Sequence, residues 1–250
     1  MGKLDGISAI ITGGSRGQGA AHAARFVAEG ACVIVGDMLV DEGELLADSL
    51  GERCRFVRMD VSEASDWDTA VRLASSLAPL RVLVNNAAIH WSKRLDVETA
   101  EGFSKLLSVN LLGPFLGIQA VTEPMRAAGG GSIVNVASIA ARQGFVGHAA
   151  YGSSKSGLLG LSRVAAVELG PSGIRVNTVL PGAIDTPMMS GTASDDRFSS
   201  LPLGRCGTVD DVADVVLFLA SSDSAYLTGT EITIDGGSTV GKAPRTSGAL

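Results

Sequence analysis

Between an apolar run at residues 7–12 and a stretch of small and apolar residues at helical spacing over 20–29, the chain reads Thr12-Gly13-Gly14-Ser15-Arg16-Gly17-Gln18-Gly19. Glycines placed there let a strand turn tightly and let a helix N-terminus, with its free backbone N–H groups, approach an anion such as a phosphate. The spacing is GxxxGxG rather than the commoner GxGxxG, so it needs support from the rest of the chain.

That support is the pattern that follows. Short runs that are apolar throughout, at 32–36, 55–59, 81–84, 132–136, 174–180 and 231–234, alternate with helical stretches at 41–50, after Asp60-Val61, and at 100–127, 149–169 and 209–220. Strands without polar alternation belong to a sheet covered on both faces. The expected fold is α/β: a single Rossmann-type, doubly wound parallel sheet flanked by helices on both faces. With 46% hydrophobic and 18% charged residues, all 250 residues are expected to form one dinucleotide-binding catalytic domain. Residues 187–207 are long, polar and irregular, and are expected to be a substrate loop. The tail at 238–250 is expected either to fray or to pack on a neighbouring subunit.

A net charge of -6 argues against nucleic acid as a partner, because that binding needs clustered Lys and Arg. Cys32, Cys54 and Cys206 have no CxxC spacing, so neither a disulfide framework nor a metal site is expected. The N-terminus has no basic, apolar and cleavable leader pattern. Gly, Ser or charge interrupts each apolar run before the ~20 residues a membrane span needs. A soluble, cytoplasmic protein is expected.

Asp37 ends the second apolar run ~20 residues beyond the glycine turn, where a carboxylate accepts hydrogen bonds from an adenosine ribose and repels a 2′-phosphate. This favours NAD as cofactor over NADP. Arg16 pulls the other way, since a guanidinium beside the turn can pair with that phosphate. Gly13-Gly14-Ser15-Arg16-Gly17 also fits the G-x-S-x-G nucleophile elbow, but an elbow needs preceding strands and a late histidine, and the last histidine is His148.

Tyr151 and Lys155 stand four residues apart at the start of a helical stretch, on one face and one turn apart. An ammonium beside a phenol, together with oxidised nicotinamide, is expected to favour the phenolate and make tyrosine a base near neutral pH; in reduction the phenol donates. Ser138 follows the fifth run, where its hydroxyl can hold a substrate oxygen. Asn110 lies within a helical stretch, and its amide is expected to tie a water to Lys155.

Taken together, Thr12-Gly13-x-x-x-Gly17-x-Gly19, Asp60-Val61, Asn85-Asn86-Ala87-Ala88, Asn110, Ser138, Tyr151-x-x-x-Lys155 and Pro181-Gly182 resemble the short-chain dehydrogenase/reductase family over nearly the whole chain. The resemblance implies catalysis by Asn110, Ser138, Tyr151 and Lys155. It implies a cofactor site of Gly13, Ser15, Arg16, Gly17, Gln18, Gly19 and Asp37, with Asp60 and Val61 at the adenine. Asn86 and Ala87 would steady the strand beside the cofactor, Tyr151 and Lys155 would meet the nicotinamide end, and Pro181, Gly182, Ile184 and Thr186 would lie near the carboxamide. It also implies a homotetramer paired through the long helices around Asn110 and Tyr151. Ala88 departs from the glycine usual in the family, a change of one methyl.

Ligands lie beyond the carboxyl ends of parallel strands, which makes Trp91, Phe145, Met188, Met189 and Phe198 candidates to line an apolar, ring-shaped alcohol or ketone. The pattern is similar to the hydroxysteroid dehydrogenase branch. A 3-oxoacyl-carrier-protein reductase is the alternative; it normally prefers NADP and would want basic surface for an acidic carrier. A nucleotide-binding protein without chemistry would not need Ser138, Tyr151 and Lys155 together. His90 and His148 are expected at the pocket rim, without an assigned role, and His22 on the first helix as packing or surface.

Overall fold

Each apolar run becomes a strand, and every strand pairing is parallel. The computed structural model describes residues 2–187 and 198–241. Its strands are β1 (Ser8–Thr12), β2 (Cys32–Asp37), β3 (Cys54–Arg58), β4 (Leu80–Asn85), β5 (Gly131–Val136), β6 (Ile174–Pro181) and β7 (Glu231–Ile234). They form one sheet in the order β3-β2-β1-β4-β5-β6-β7, in parallel register throughout. The order reverses between β1 and β4, the switch point beyond whose carboxyl ends ligands bind in open α/β sheets.

Helices α1 (Gly17–Ala28), α2 (Val40–Leu50), α3 (Ala64–Leu77), α4 (Ala100–Leu107), α5 (Gly113–Ala127), α6 (Ala149–Leu169) and α7 (Val209–Ala220) cover the sheet. Alternate strand residues feed two cores. Ile11, Val33, Val84 and Val179 pack with Phe26 of α1 and Val216 of α7. Ile10, Ile34, Leu83 and Ile133 pack with Trp67 of α3, Val121 of α5 and Ala165 of α6. Because both faces are buried, the strands need no polar alternation. His22 is wholly buried on α1, and burial lowers its pKa to about 3, so it is a neutral core residue.

Two expectations need correction. The helical stretch at 100–127 is not one regular helix: α4 and α5 are joined by a π turn at Ser108–Leu112, so Asn110 sits in a bulge. The same stretch, Ala100–Ala127, is also long and apolar enough by length and composition to cross a membrane, contrary to the sequence expectation. Its buried positions, among them Leu106, Ile118, Val121 and Met125, pack within the fold, which accounts for the apolar composition. Met188 and Met189 lie outside the described residues.

Candidate active site

The glycine turn is held against the end of β4. Asn86 donates from Nδ2 to the carbonyl oxygens of Thr12 at 3.0 Å and Gly13 at 2.9 Å. The backbone N–H groups of Asn86 and Ala87 both donate to Thr12 Oγ1 at 3.1 Å. Gly13 adopts φ +61, and a Cβ there would come within 2.7 Å of the Ala87 backbone. At Gly19 a Cβ would run into the Gly13 carbonyl, so α1 closes on the turn only with glycine at both positions. Gln18 Oε1 is buried there with no hydrogen-bond partner among the described residues.

Asp37, at the end of β2, accepts from the Ser15 N–H at 3.0 Å through Oδ2 and from the Met38 and Leu39 N–H groups through Oδ1. The carboxylate thus stands at the lip of the turn. Arg16 is exposed at the N-terminus of α1, with its guanidinium unpaired among the described residues. At the end of β3, Asp60 Oδ1 accepts from the Ser62 N–H and hydroxyl, and the hydroxyl bond leads the causes that lower its pKa. Val61 is buried against Gly113. Beyond β6, Gly182 packs on Asp235 and Ile184 is buried, bridging Gly207. Thr186 Cγ2 would lie 3.7 Å from a Cβ at Gly17, so the segment after β6, which begins at Pro181 and Gly182, folds back onto the turn.

Tyr151 and Lys155 project from the first turns of α6 beside the end of β5. Lys155 is buried, donates from Nζ to the Val136 carbonyl at 2.8 Å, and lies 5.8 Å from the centre of the Tyr151 ring. Burial lowers the Lys155 pKa to about 8. Burial also raises the Tyr151 phenol above its ordinary value, while a hydrogen bond with Ser138 pulls it down. The expected lowering of the phenol by its neighbouring ammonium is not among the causes of this shift: burial dominates, and the one opposing cause is the bond with Ser138. Ser138 Oγ also accepts from the Ala140 N–H at 3.1 Å, which fixes the hydroxyl at the mouth of β5.

Asn110 stands in the π turn between α4 and α5. Its Oδ1 accepts from the Ile89 N–H at 2.9 Å, and its Nδ2 donates to the Ile89 carbonyl at 2.9 Å and to Ser154 Oγ at 3.2 Å. The side-chain amide braces the segment after β4 against α6. Ser154 in turn donates to the Tyr151 carbonyl at 2.7 Å.

Two histidines reach the same place. His90 and His148 approach Nε2 to Nε2 at 2.8 Å, and the His90 ring meets the Tyr151 ring edge-on with centres 4.8 Å apart. Phe145 joins this cluster at 5.8 Å from His148. Trp91 is pinned through Nε1 to Glu98 at 2.8 Å, and Phe198 is half-buried. Thr12, Ser154 and the contact between the histidines are the parts that sequence reasoning left without a role; the signal was a histidine after β4 and another three residues before Tyr151.

Comparison with known proteins agrees with this geometry. A family model described as enoyl-(acyl carrier protein) reductase matches residues 13–239. A 3-alpha-(or 20-beta)-hydroxysteroid dehydrogenase of Mycobacterium tuberculosis is 42% identical over 255 residues, spanning 100% of this chain and 95% of that protein. A trans-4-hydroxycyclohexanecarboxylate dehydrogenase of Sinomonas cyclohexanicum is 40% identical over 93% of each chain. The crystal structure of levodione reductase matches with a TM-score of 0.90 at 32% identity, covering 95% of this chain and 99% of that one. The glycine turn braced by Asn86, the strand order and these full-length matches share one explanation: the chain belongs to the short-chain dehydrogenase/reductase family of oxidoreductases.

Proposed function

We propose that this protein is an NAD-dependent enzyme moving a hydride between nicotinamide and the carbon of a secondary alcohol or ketone, on an apolar, ring-shaped substrate. The observation that carries this reading is the convergence of Ser138, Tyr151 and Lys155 at the mouth of β5, in the sheet whose β1 ends at the glycine turn.

The residues present fit a dinucleotide. Closely packed Gly13 and Gly19, with Gly17 at φ +57, leave room for a pyrophosphate at the N-terminus of α1, beside Ser15, Arg16 and Gln18. Asp37 would hold the adenosine ribose, and its negative charge at the lip of the turn is the reason to favour NAD over NADP. Asp60 and Val61 would flank the adenine, Asn86 and Ala87 would back the cofactor, and Pro181, Gly182, Ile184 and Thr186 would meet the carboxamide. When bound, nicotinamide supplies the hydride acceptor in oxidation and the hydride donor in reduction.

Ser138 holds the substrate oxygen by a hydrogen bond, and Tyr151 takes the alcohol proton in oxidation or returns it in reduction. Lys155 would hold the nicotinamide ribose and, with a pKa lowered only to about 8, still carries its proton at neutral pH, so its positive charge stands beside the phenol when that group ionises. A phenolate and an ammonium together relieve the penalty that burial imposes on each alone. Asn110 acts by position, setting Ile89 and Tyr151 relative to each other. Phe145, whose ring lies 5.8 Å from that of His148, is a candidate apolar wall, with Trp91, Met188 and Met189 as further candidates.

Ring-bearing alcohols in the names of two relatives favour a cyclic substrate, steroid-like or smaller. A carrier-protein reductase fits less well: the cations around the entrance, Lys93, Arg94 and Arg142, are paired with Glu98, Asp96 and Glu231. We take the enzyme to work in the cytoplasm, with its cysteines reduced, and to assemble as a homotetramer. Exposed Leu112 and Phe115, beside a groove lined by Leu107, Leu111 and Leu161, support pairing through these helices. The deciding experiment is a steady-state assay with NAD and NADP over steroid, terpenoid, cyclohexanol-type and acyl-thioester substrates. Turnover of acyl thioesters alone, with NADP preferred, would replace this reading by the carrier-protein one.

A further inference from the structure

The contact between His90 and His148 has a fixed hydrogen-bond direction. His148 Nδ1 lies 3.0 Å from the Val146 carbonyl, which can only accept, so Nδ1 carries the proton. In neutral His148, Nε2 is then an acceptor, and the 2.8 Å contact requires His90 to donate from its own Nε2. The neutral tautomer of His90 that does so has a bare Nδ1. Among the described residues nothing donates a hydrogen bond to that atom, and it is not sealed from solvent, so it is an acceptor open to a ligand.

The pair is also held rigidly. Asn110 pins the residue before His90 by two hydrogen bonds and reaches α6 through Ser154. The segment carrying His148 is joined to the one after β4 by a backbone bridge between Lys93 and His148, with the Lys93 N–H donating to the Gly147 carbonyl at 2.8 Å. A half-buried acceptor, braced from two sides and stacked edge-on against Tyr151, is the kind of placed polar group that orients a ligand in an otherwise apolar pocket. Burial is the leading cause that lowers the His90 pKa and so favours the neutral ring.

We propose that the His90–His148 pair recognises a second hydroxyl on the substrate, so that cyclic diols are preferred: one hydroxyl reacts at Tyr151 while the other donates to His90 Nδ1. This rests on the reading of Tyr151 as the acid–base group. His90 is a positioning residue, and no bond to it forms or breaks.

The test compares kcat/KM for cyclohexane-1,2-, 1,3- and 1,4-diols with that for cyclohexanol, in wild type, His90→Gln and His90→Asn. Glutamine can keep the donor to His148 while losing the acceptor at the Nδ1 position; asparagine places an amide oxygen near that position. For the best diol, the ratio to cyclohexanol is expected to fall roughly three- to tenfold in His90→Gln, the worth of one hydrogen bond. The fall should come through the diol's KM, and His90→Asn should restore much of it. A ratio unchanged in His90→Gln, or one that falls equally in both variants, overturns the proposal while leaving the reaction assignment intact. A wild type that oxidises neither cyclohexanol nor any diol counts against the reaction assignment itself.

Discussion

Lys155 Nζ donates to the Val136 carbonyl at 2.8 Å and stands 5.8 Å from the centre of the Tyr151 ring, so the cation is anchored to the end of β5 and not to the phenol it serves. That anchor fixes the charge without using the phenolic oxygen, which stays available to Ser138 and a substrate. The arrangement suits a group that must exchange a proton in both directions.

Tyr151→Phe removes that proton while keeping the ring packed against His90. Turnover in either direction is expected to fall by about 10²- to 10⁴-fold, the range for loss of a positioned acid or base. Nucleotide affinity, measured by calorimetry, should change little, because the turn at Gly13 and the Asp37 carboxylate are untouched. Turnover near the wild-type rate would remove Tyr151 from the chemistry.

Lys155→Met exchanges function for stability. Burial lowers the Lys155 pKa from 10.5 to about 8, so between those values the unfolded chain holds a proton that the folded chain has released. Stability therefore rises with pH through that window, and the cost of the buried charge is fully present below pH 8. Replacing the lysine removes a cost of roughly 3 kcal/mol at most. The variant should melt several degrees above wild type at pH 7 and lose that advantage as pH approaches 10.5, while activity collapses. A variant that melts below wild type at pH 7 would mean the bond to Val136 outweighs the buried charge.

The central strands were legible because burial on both faces leaves a largely apolar run, as in β1 and β2; β7 (Glu231–Ile234) falls where it was expected although it reads Glu-Ile-Thr-Ile and is only half-buried. The π turn at Ser108–Leu112 was not, because periodicity over residues 100–127 does not reveal the local i→i+5 bonding. That Tyr151 and Lys155 lie one turn apart on one helix could be read from their spacing. The balance of their pKa shifts could not, since desolvation depends on what the fold packs around them. The histidine pair was equally hidden: His90 and His148 are 58 residues apart, and only the bridge at Lys93 brings their segments together.

Asp37 tests the cofactor preference. Asp37→Ser removes the charge that would repel a 2′-phosphate, with Arg16 exposed nearby to receive one. The ratio of kcat/KM for NAD over NADP should drop by about tenfold or more, an effect of at least ~1.4 kcal/mol. Asp37 also accepts from the Ser15, Met38 and Leu39 N–H groups, so some loss of NAD affinity and about 1 kcal/mol of stability should accompany the change. Asp37→Asn separates the effects, since the amide oxygen retains an acceptor without the charge. An unchanged cofactor ratio in both variants would place the discrimination elsewhere.

Glu231 on β7 receives both Arg142, from the segment leading to Phe145 and His148, and Arg163 of α6. Its side chain is only 10% exposed, whereas the arginines are half exposed or more. Burial pushes the carboxyl pKa up, but the bonds to Arg142 and Arg163 outweigh it and the net shift is downward. A lowered carboxyl contributes stability that is present above its ordinary pKa of 4.5 and is lost as pH falls through the folded value. Glu231→Gln should therefore cost about 1–2 kcal/mol at pH 7, less than a fully buried pair because water screens the arginines. Its melting temperature should depend less on pH below 4.5 than that of wild type. The same change loosens the segment that carries His148, so KM should rise more than kcat falls. Equal melting temperatures for the two proteins at pH 7 would show that this three-way contact contributes nothing net to the fold.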